Sequence, residues 1–143
     1  MLSGAAAFGM ALAGGAFANG ASAKETKQPP KPQNVLSPDE SLKRLMEGNG
    51  RYVSGVARRH DFKHEREALA GGQNPFAAVL SCADSRIAPE YAFDTGRGDL
   101  FVCRVAGNFA GTETIASMEY AVAVLNAPLI LVLGHDEIGR AHV

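Results

Sequence analysis

Phe76-Ala77-Ala78-Val79-Leu80-Ser81-Cys82 is the stretch that decides the fold. It carries no charged side chain and breaks at once into the polar turn Ala83-Asp84-Ser85-Arg86. A strand with one wet face alternates apolar and polar residues. One that is apolar at successive positions reads as a strand buried on both faces, as in a parallel sheet covered by helices.

Working outward, residues 100–105 form a second such run and residues 128–133 a third, which ends at Gly134-His135. Between the last two, residues 112–125 have helical spacing, with Ile115, Met118, Ala121, Val122 and Leu125 on the expected core stripe. Upstream, Ser37-Pro38-Asp39-Glu40 is a helix start: Ser37 can cap, Pro38 suits the first turn, and Glu40 closes a capping box. Leu42, Leu45 and Met46 supply its apolar stripe, and Gly48 and Gly50 are expected to end it. A short second helix is expected over residues 63–70, stopped by Gly71-Gly72. Strands alternating with helices predict an α/β domain with a mainly parallel β-sheet flanked by helices.

The chain has 143 residues and a formal net charge of −1, enough for one cored domain and without the basic surplus that nucleic-acid binding requires. Residues 1–23 are nearly uncharged and rich in Ala and Gly. They end in Ala21-Ser22-Ala23, the small-x-small pattern that signal peptidase accepts, so this segment is expected to be a signal peptide. No basic residue precedes its apolar core, and an Ala/Gly-rich tail remains the alternative. The apolar run is too short for a stable membrane span. Export, to a periplasm, is the expectation. Residues 24–36, with Pro29, Pro30 and Pro32, read as a linker, and the domain proper as residues 37–143.

In open α/β sheets the chemistry gathers just past the carboxyl ends of strands, where Cys82 and His135 both stand. A thiolate and an imidazole there are good zinc donors. Asp84 and Arg86 can pair bidentately in the turn, which orients the carboxylate and keeps it ionised. By spacing alone, a buried Cys beside an ordinary loop ion pair is the better account of these residues. A Cys82–Cys103 disulfide between neighbouring strands is also conceivable, but Cys82 has the better use as a ligand.

Cys82-Ala83-Asp84-Ser85-Arg86 resembles the first signature of the β-class carbonic anhydrases, and Gly134-His135 the opening of their second, Gly-His-x-x-Cys. Residues 98–108 are similar to the family's Gly-Asp-x-Phe-Val-x-Arg-x-Ala-Gly-Asn strand, and residues 117–122 to its central helix. The first helix, through Arg51-Tyr52, has the same look.

The resemblance implies zinc-dependent reversible hydration of carbon dioxide to bicarbonate, by attack of metal-bound hydroxide on the substrate. Cys82 and His135 become zinc ligands. Asp84, oriented by Arg86, accepts a hydrogen bond from the hydroxide, or swings onto the metal in a closed form. Gln73 falls where the family binds substrate from across a dimer interface, and Phe101 where some members line the carbon dioxide pocket. A surface turn residue and plain core remain the alternatives for these two. Cys103 takes a slot usually aliphatic and reads as filler. A homodimer or higher homo-oligomer is implied for the full-length protein.

The pattern breaks at Ile138, where the second signature has its cysteine. The family also continues beyond residue 143, so the C-terminal part of the fold is expected to be missing and the present chain inactive. Residues 138–143 read as the translation of ATC-GGA-AGA-GCA-CAC-GTC, a sequencing-adapter string, and are expected to be non-native. A non-catalytic relative that binds or assembles, or a hydrolase of carbon disulfide or carbonyl sulfide, stand as alternatives.

Overall fold

The structure, a computed structural model, describes residues 34–136. The readings placed on residues 1–23, on most of the linker and on Ile138 lie outside that range.

Two helices lead into the sheet: α1 (Pro38–Val53) and α2 (Phe62–Leu69). The central strand β1 (Ala77–Ser81) is buried at every position. Parallel to it on one side runs β2 (Leu100–Arg104), on the other β3 (Ile130–Leu133), giving the order β2-β1-β3. Parallel neighbours need crossover connections. The first contains α3 (Pro89–Ala92), the second α4 (Thr112–Ala123).

Alternation along β1 sorts the core into two layers. Ala77 packs with Leu45 of α1 and with Phe76, Ala92 and Phe93, while Leu100, Leu131 and Leu133 close around them. Ala78 and Leu80 face the other way, onto Met118 and Ala121 of α4 and onto Ala127, with Phe101 and Cys103 alongside. β1 is therefore apolar throughout because it has a helical layer on each side.

α1 begins as expected. Ser37 Oγ accepts from the Glu40 N–H at 3.3 Å, and Glu40 Oε2 accepts from the Ser37 N–H at 2.9 Å. It does not end at Gly48 or Gly50 but continues to Val53. Gly48 is a close-approach residue, since a Cβ there would stand 1.8 Å from the Phe93 carbonyl oxygen. The helix lies almost on the backbone after α3, and Asn49 Nδ2 donates to the Ala92 carbonyl at 3.0 Å. Packing also starts upstream of Ser37. Buried Asn34 accepts from Arg44 Nη1 at 2.8 Å and donates to Asp99 Oδ1 at 3.2 Å.

Two further expectations are corrected. β3 is shorter than residues 128–133 and not buried on both faces: Ile130 is 48% and Val132 60% exposed. On α4, Met118 and Ala121 are buried but Ile115 and Val122 are exposed. The reason is shared. α4 packs over β1 and β2, which leaves an open groove of about 700 Å³ between its outer face and β3, lined by Ile115, Val122, Ile130 and Val132. Cys82 and Cys103 are free thiols. No helix among the described residues is long and apolar enough to cross a membrane.

Candidate active site

β1 and β3 are adjacent and parallel, so their carboxyl ends deliver Cys82 and His135 to the same edge of the sheet. The ladder extends just far enough to hold Cys82: Val105 N–H donates to the Ser81 carbonyl at 3.0 Å, and Ala83 N–H to the Val105 carbonyl at 3.2 Å.

The Cys82 side chain is buried, and its sulfur accepts from two backbone N–H groups, Gly107 at 3.3 Å and Asp84 at 3.4 Å. Two such donors aimed at one sulfur favour the thiolate. The Gly107 N–H, the His135 side chain and the Asp84 N–H together bring the thiol down to about 7. Gly107 has φ +79°, a left-handed conformation that glycine adopts without strain. That turn is what points its N–H at the sulfur.

His135 Nδ1 lies 2.7 Å from the Asp136 carbonyl oxygen, which can only accept, so Nδ1 carries the proton. The other ring nitrogen, Nε2, is buried and has no hydrogen-bond partner among the described residues. Cys82 first and the Asp136 carbonyl second raise the imidazole above its usual range. Thiol and imidazole thus shift each other as close polar neighbours, although no hydrogen bond of ordinary geometry is made at Nε2.

Asp84 is gripped by Arg86 three times: Nε to Oδ1 at 2.9 Å, Nη2 to Oδ2 at 2.8 Å, and the Arg86 N–H to Oδ1 at 2.8 Å. These bonds hold the carboxyl well below the ordinary carboxylate range. It is therefore held as an anion at neutral pH.

These donors can be tested against a zinc ion. A soft sulfur poised as thiolate and a buried imidazole nitrogen with a free lone pair fit zinc in chemistry. The unpartnered Nε2 is the observation that asks for a ligand, because a buried polar atom without a partner is costly. A third protein donor is not in place: no group of three or more His, Cys, Asp or Glu side chains able to hold a metal occurs among the described residues. Asp84 is the nearest candidate by sequence, and it is turned to Arg86.

Gln73 and Phe101 are not brought to this edge. Gln73 is exposed in the segment ahead of β1, at the opposite end of the sheet. Phe101 pairs in register with Ala78, four residues before Cys82, or about 13 Å along a strand. It packs on the α4 side, its ring tilted against Tyr120 with centroids 6.2 Å apart.

One residue the motif reading left without a role is Arg104. It ends β2 and donates to three carbonyls of the Cys82 turn. The available signal was its place at the carboxyl end of the strand beside β1.

A family model described as carbonic anhydrase matches residues 77–142. The chain is 48% identical over 107 residues to carbonic anhydrase 2 of Mycobacterium tuberculosis, covering 74% of this chain and 52% of that protein. Among solved structures, the β-carbonic anhydrase CcaA aligns at 36% identity with a TM-score of 0.51, over 68% of this chain and 50% of that one. One of two tetrameric β-carbonic anhydrases from Sordaria macrospora aligns at 30% identity and a TM-score of 0.52, over 70% and 51%. The chain spans about half the length of the curated relatives it matches.

Proposed function

The chain belongs to the β-class carbonic anhydrase family, and from that premise we propose that the protein catalyses the reversible hydration of carbon dioxide, with zinc held by Cys82 and His135. The observation that carries the reading is the pairing of a thiolate-favouring sulfur with a buried, unpartnered imidazole nitrogen at one sheet edge. Zinc bound there supplies a Lewis acid that makes a water oxygen nucleophilic near neutral pH.

The chain's own residues do the rest. The Gly107 and Asp84 N–H groups hold the sulfur, and the Asp136 carbonyl fixes the imidazole tautomer that leaves Nε2 free. Asp84 stays ionised through Arg86. Its Oδ2 accepts only one of the three Arg86 bonds and keeps a lone pair, so it can accept the O–H of the attacking water and orient that water's remaining lone pair. A third metal donor would be supplied from outside the described residues, with Asp84 taking that place only in a closed, resting form. Gln73, being exposed, is free to serve a second copy, and the proposal includes a homo-oligomer. It also includes export, supported by the residue pattern of positions 1–23.

The test is zinc content and stopped-flow carbon dioxide hydration on protein expressed from the complete reading frame, with codon 138 read from independent DNA. Stoichiometric zinc lost in Cys82→Ser and in His135→Ala, together with hydration well above buffer, is expected. Full zinc occupancy without hydration overturns the substrate. A confirmed isoleucine codon with no zinc bound favours the non-catalytic relative.

A further inference from the structure

The turn from Cys82 to Ile87 holds the thiol, the carboxylate and the carboxylate's partner, and it is tied to neighbouring backbone by the Ala83 N–H, on the Val105 carbonyl, and by the Gly107 N–H on the Cys82 sulfur. Three of its carbonyls converge on one side chain. Arg104 Nε donates to the Cys82 oxygen at 3.0 Å, and Nη2 donates to the Asp84 oxygen at 2.6 Å and to the Ile87 oxygen at 2.8 Å. Arg104 is itself fixed, as the last residue of β2 and in register with Ser81, immediately before the turn. A planar guanidinium presents donors along two edges at fixed angles, so one group can set the relative positions of three carbonyls. Bonds in which the donor is charged are stronger than neutral ones.

We infer that Arg104 is a positioning residue, which fixes the path of residues 82–87 through their carbonyls and thereby aims Cys82 and Asp84 at the site. Its consequence for turnover rests on the hydration reading above; its consequence for the turn does not. The side chain reaches the chemistry only through backbone, so its loss displaces the reacting groups and removes none of them. A lysine cannot substitute, because its single nitrogen lacks the forked edge that reaches the Cys82 and Asp84 carbonyls together.

The experiment compares Arg104→Met and Arg104→Lys with the parent in zinc-loaded protein from the complete reading frame, by hydrogen exchange and by a double-mutant cycle with Asp84→Ala. Amides of Ala83, Asp84 and Arg86 are expected to exchange at least about ten-fold faster in Arg104→Met, while those of α1 keep the parent rate. A misplacement of about 1 Å can cost about a hundred-fold, so kcat/KM should fall by that order. In the Asp84→Ala background the same change should cost less than about three-fold, because Asp84 is what Arg104 aims. Arg104→Lys should recover only part of either signal. Unchanged exchange at residues 83–86 in a folded variant overturns the inference, as do losses that multiply in the double mutant. If Arg104→Met fails to fold, Arg104→Lys carries the same comparison. If the parent binds zinc but does not hydrate carbon dioxide, the hydration reading falls, and exchange alone still decides the role of Arg104.

Discussion

Gly48→Ala and Gly50→Ala, two residues apart on one helix, should move stability in opposite directions. A Cβ at Gly48 would stand 1.8 Å from the Phe93 carbonyl oxygen and 2.7 Å from its carbon. Both are backbone atoms and cannot rotate aside. Real Cβ contacts essentially never fall under 3.0 Å, so helix and strap must part by more than an ångström. Overpacking of this kind costs about 1–3 kcal/mol. Retreat of α1 also stretches the Asn49 bond to the Ala92 carbonyl and the Arg51 contact with Asp94, at about 1 kcal/mol for each bond weakened. Against this, alanine is about 1 kcal/mol better than glycine inside a helix. The net loss is about 3 kcal/mol, or a melting temperature about 12 °C lower at roughly 4 °C per kcal/mol. At Gly50 nothing lies within 4 Å of the added Cβ. Only the propensity gain remains there, and the midpoint should rise by about 2–4 °C. Calorimetry or a thermal circular-dichroism scan checks both. A Gly48→Ala protein as stable as Gly50→Ala would refute the close approach of α1 to Phe93.

Three further outcomes follow from the same coordinates. Asp94 is buried; burial pushes its carboxyl up, but the Arg51 side chain, the Arg58 N–H and both guanidinium charges outweigh it and leave it below its usual value. A depressed carboxylate contributes stability above its unfolded pKa of about 3.9 and loses it as pH falls through the folded value. Urea midpoints should therefore drop more steeply below pH 4 in the parent than in Asp94→Asn, and parallel curves would remove Asp94 from the account. Asp84→Ala should lose about a hundred-fold in kcat/KM at unchanged zinc content, by stopped flow and metal analysis; near-normal turnover would sink its role. Gly98→Ala places a Cβ 2.5 Å from the Leu69 Cδ2 methyl at φ +78°. It should cost about 1–2 kcal/mol in denaturant melts, mostly as left-handed backbone strain that a shifted leucine cannot relieve.

Where the sequence was legible, and where it was not, follows from what each residue depends on. The run into Cys82 announces a doubly covered strand because burial on both faces leaves no polar position to misread. The α1 cap is equally plain, since Ser37, Pro38 and Glu40 act within one turn. Gly48 was misread as a stop because its reason, the Phe93 carbonyl, lies 45 residues further on. α3 went unseen: it has only four residues and no side-chain cap. At the site, Cys82, Asp84, Arg86 and His135 are legible through the ordered motifs they belong to, because their spacing alone also fits a buried Cys beside a loop ion pair. Arg104 serves three backbone carbonyls, and backbone leaves no mark in a sequence.

The exposed outer side of β3 bears on how such a chain is made. β1 leaves the ribosome first and gains β2 after a short crossover, whereas its other edge waits for residues 130–133, last among the described strands. Throughout that interval the most deeply buried strand presents an unpaired row of N–H and C=O groups to its surroundings. Ile130-Leu131-Val132-Leu133 is uncharged and rich in β-branched side chains, with Ile130 and Val132 facing solvent, which is the make-up of a segment that recruits its own kind. Synthesis rate and holding chaperones, more than equilibrium stability, should set the yield of soluble chain.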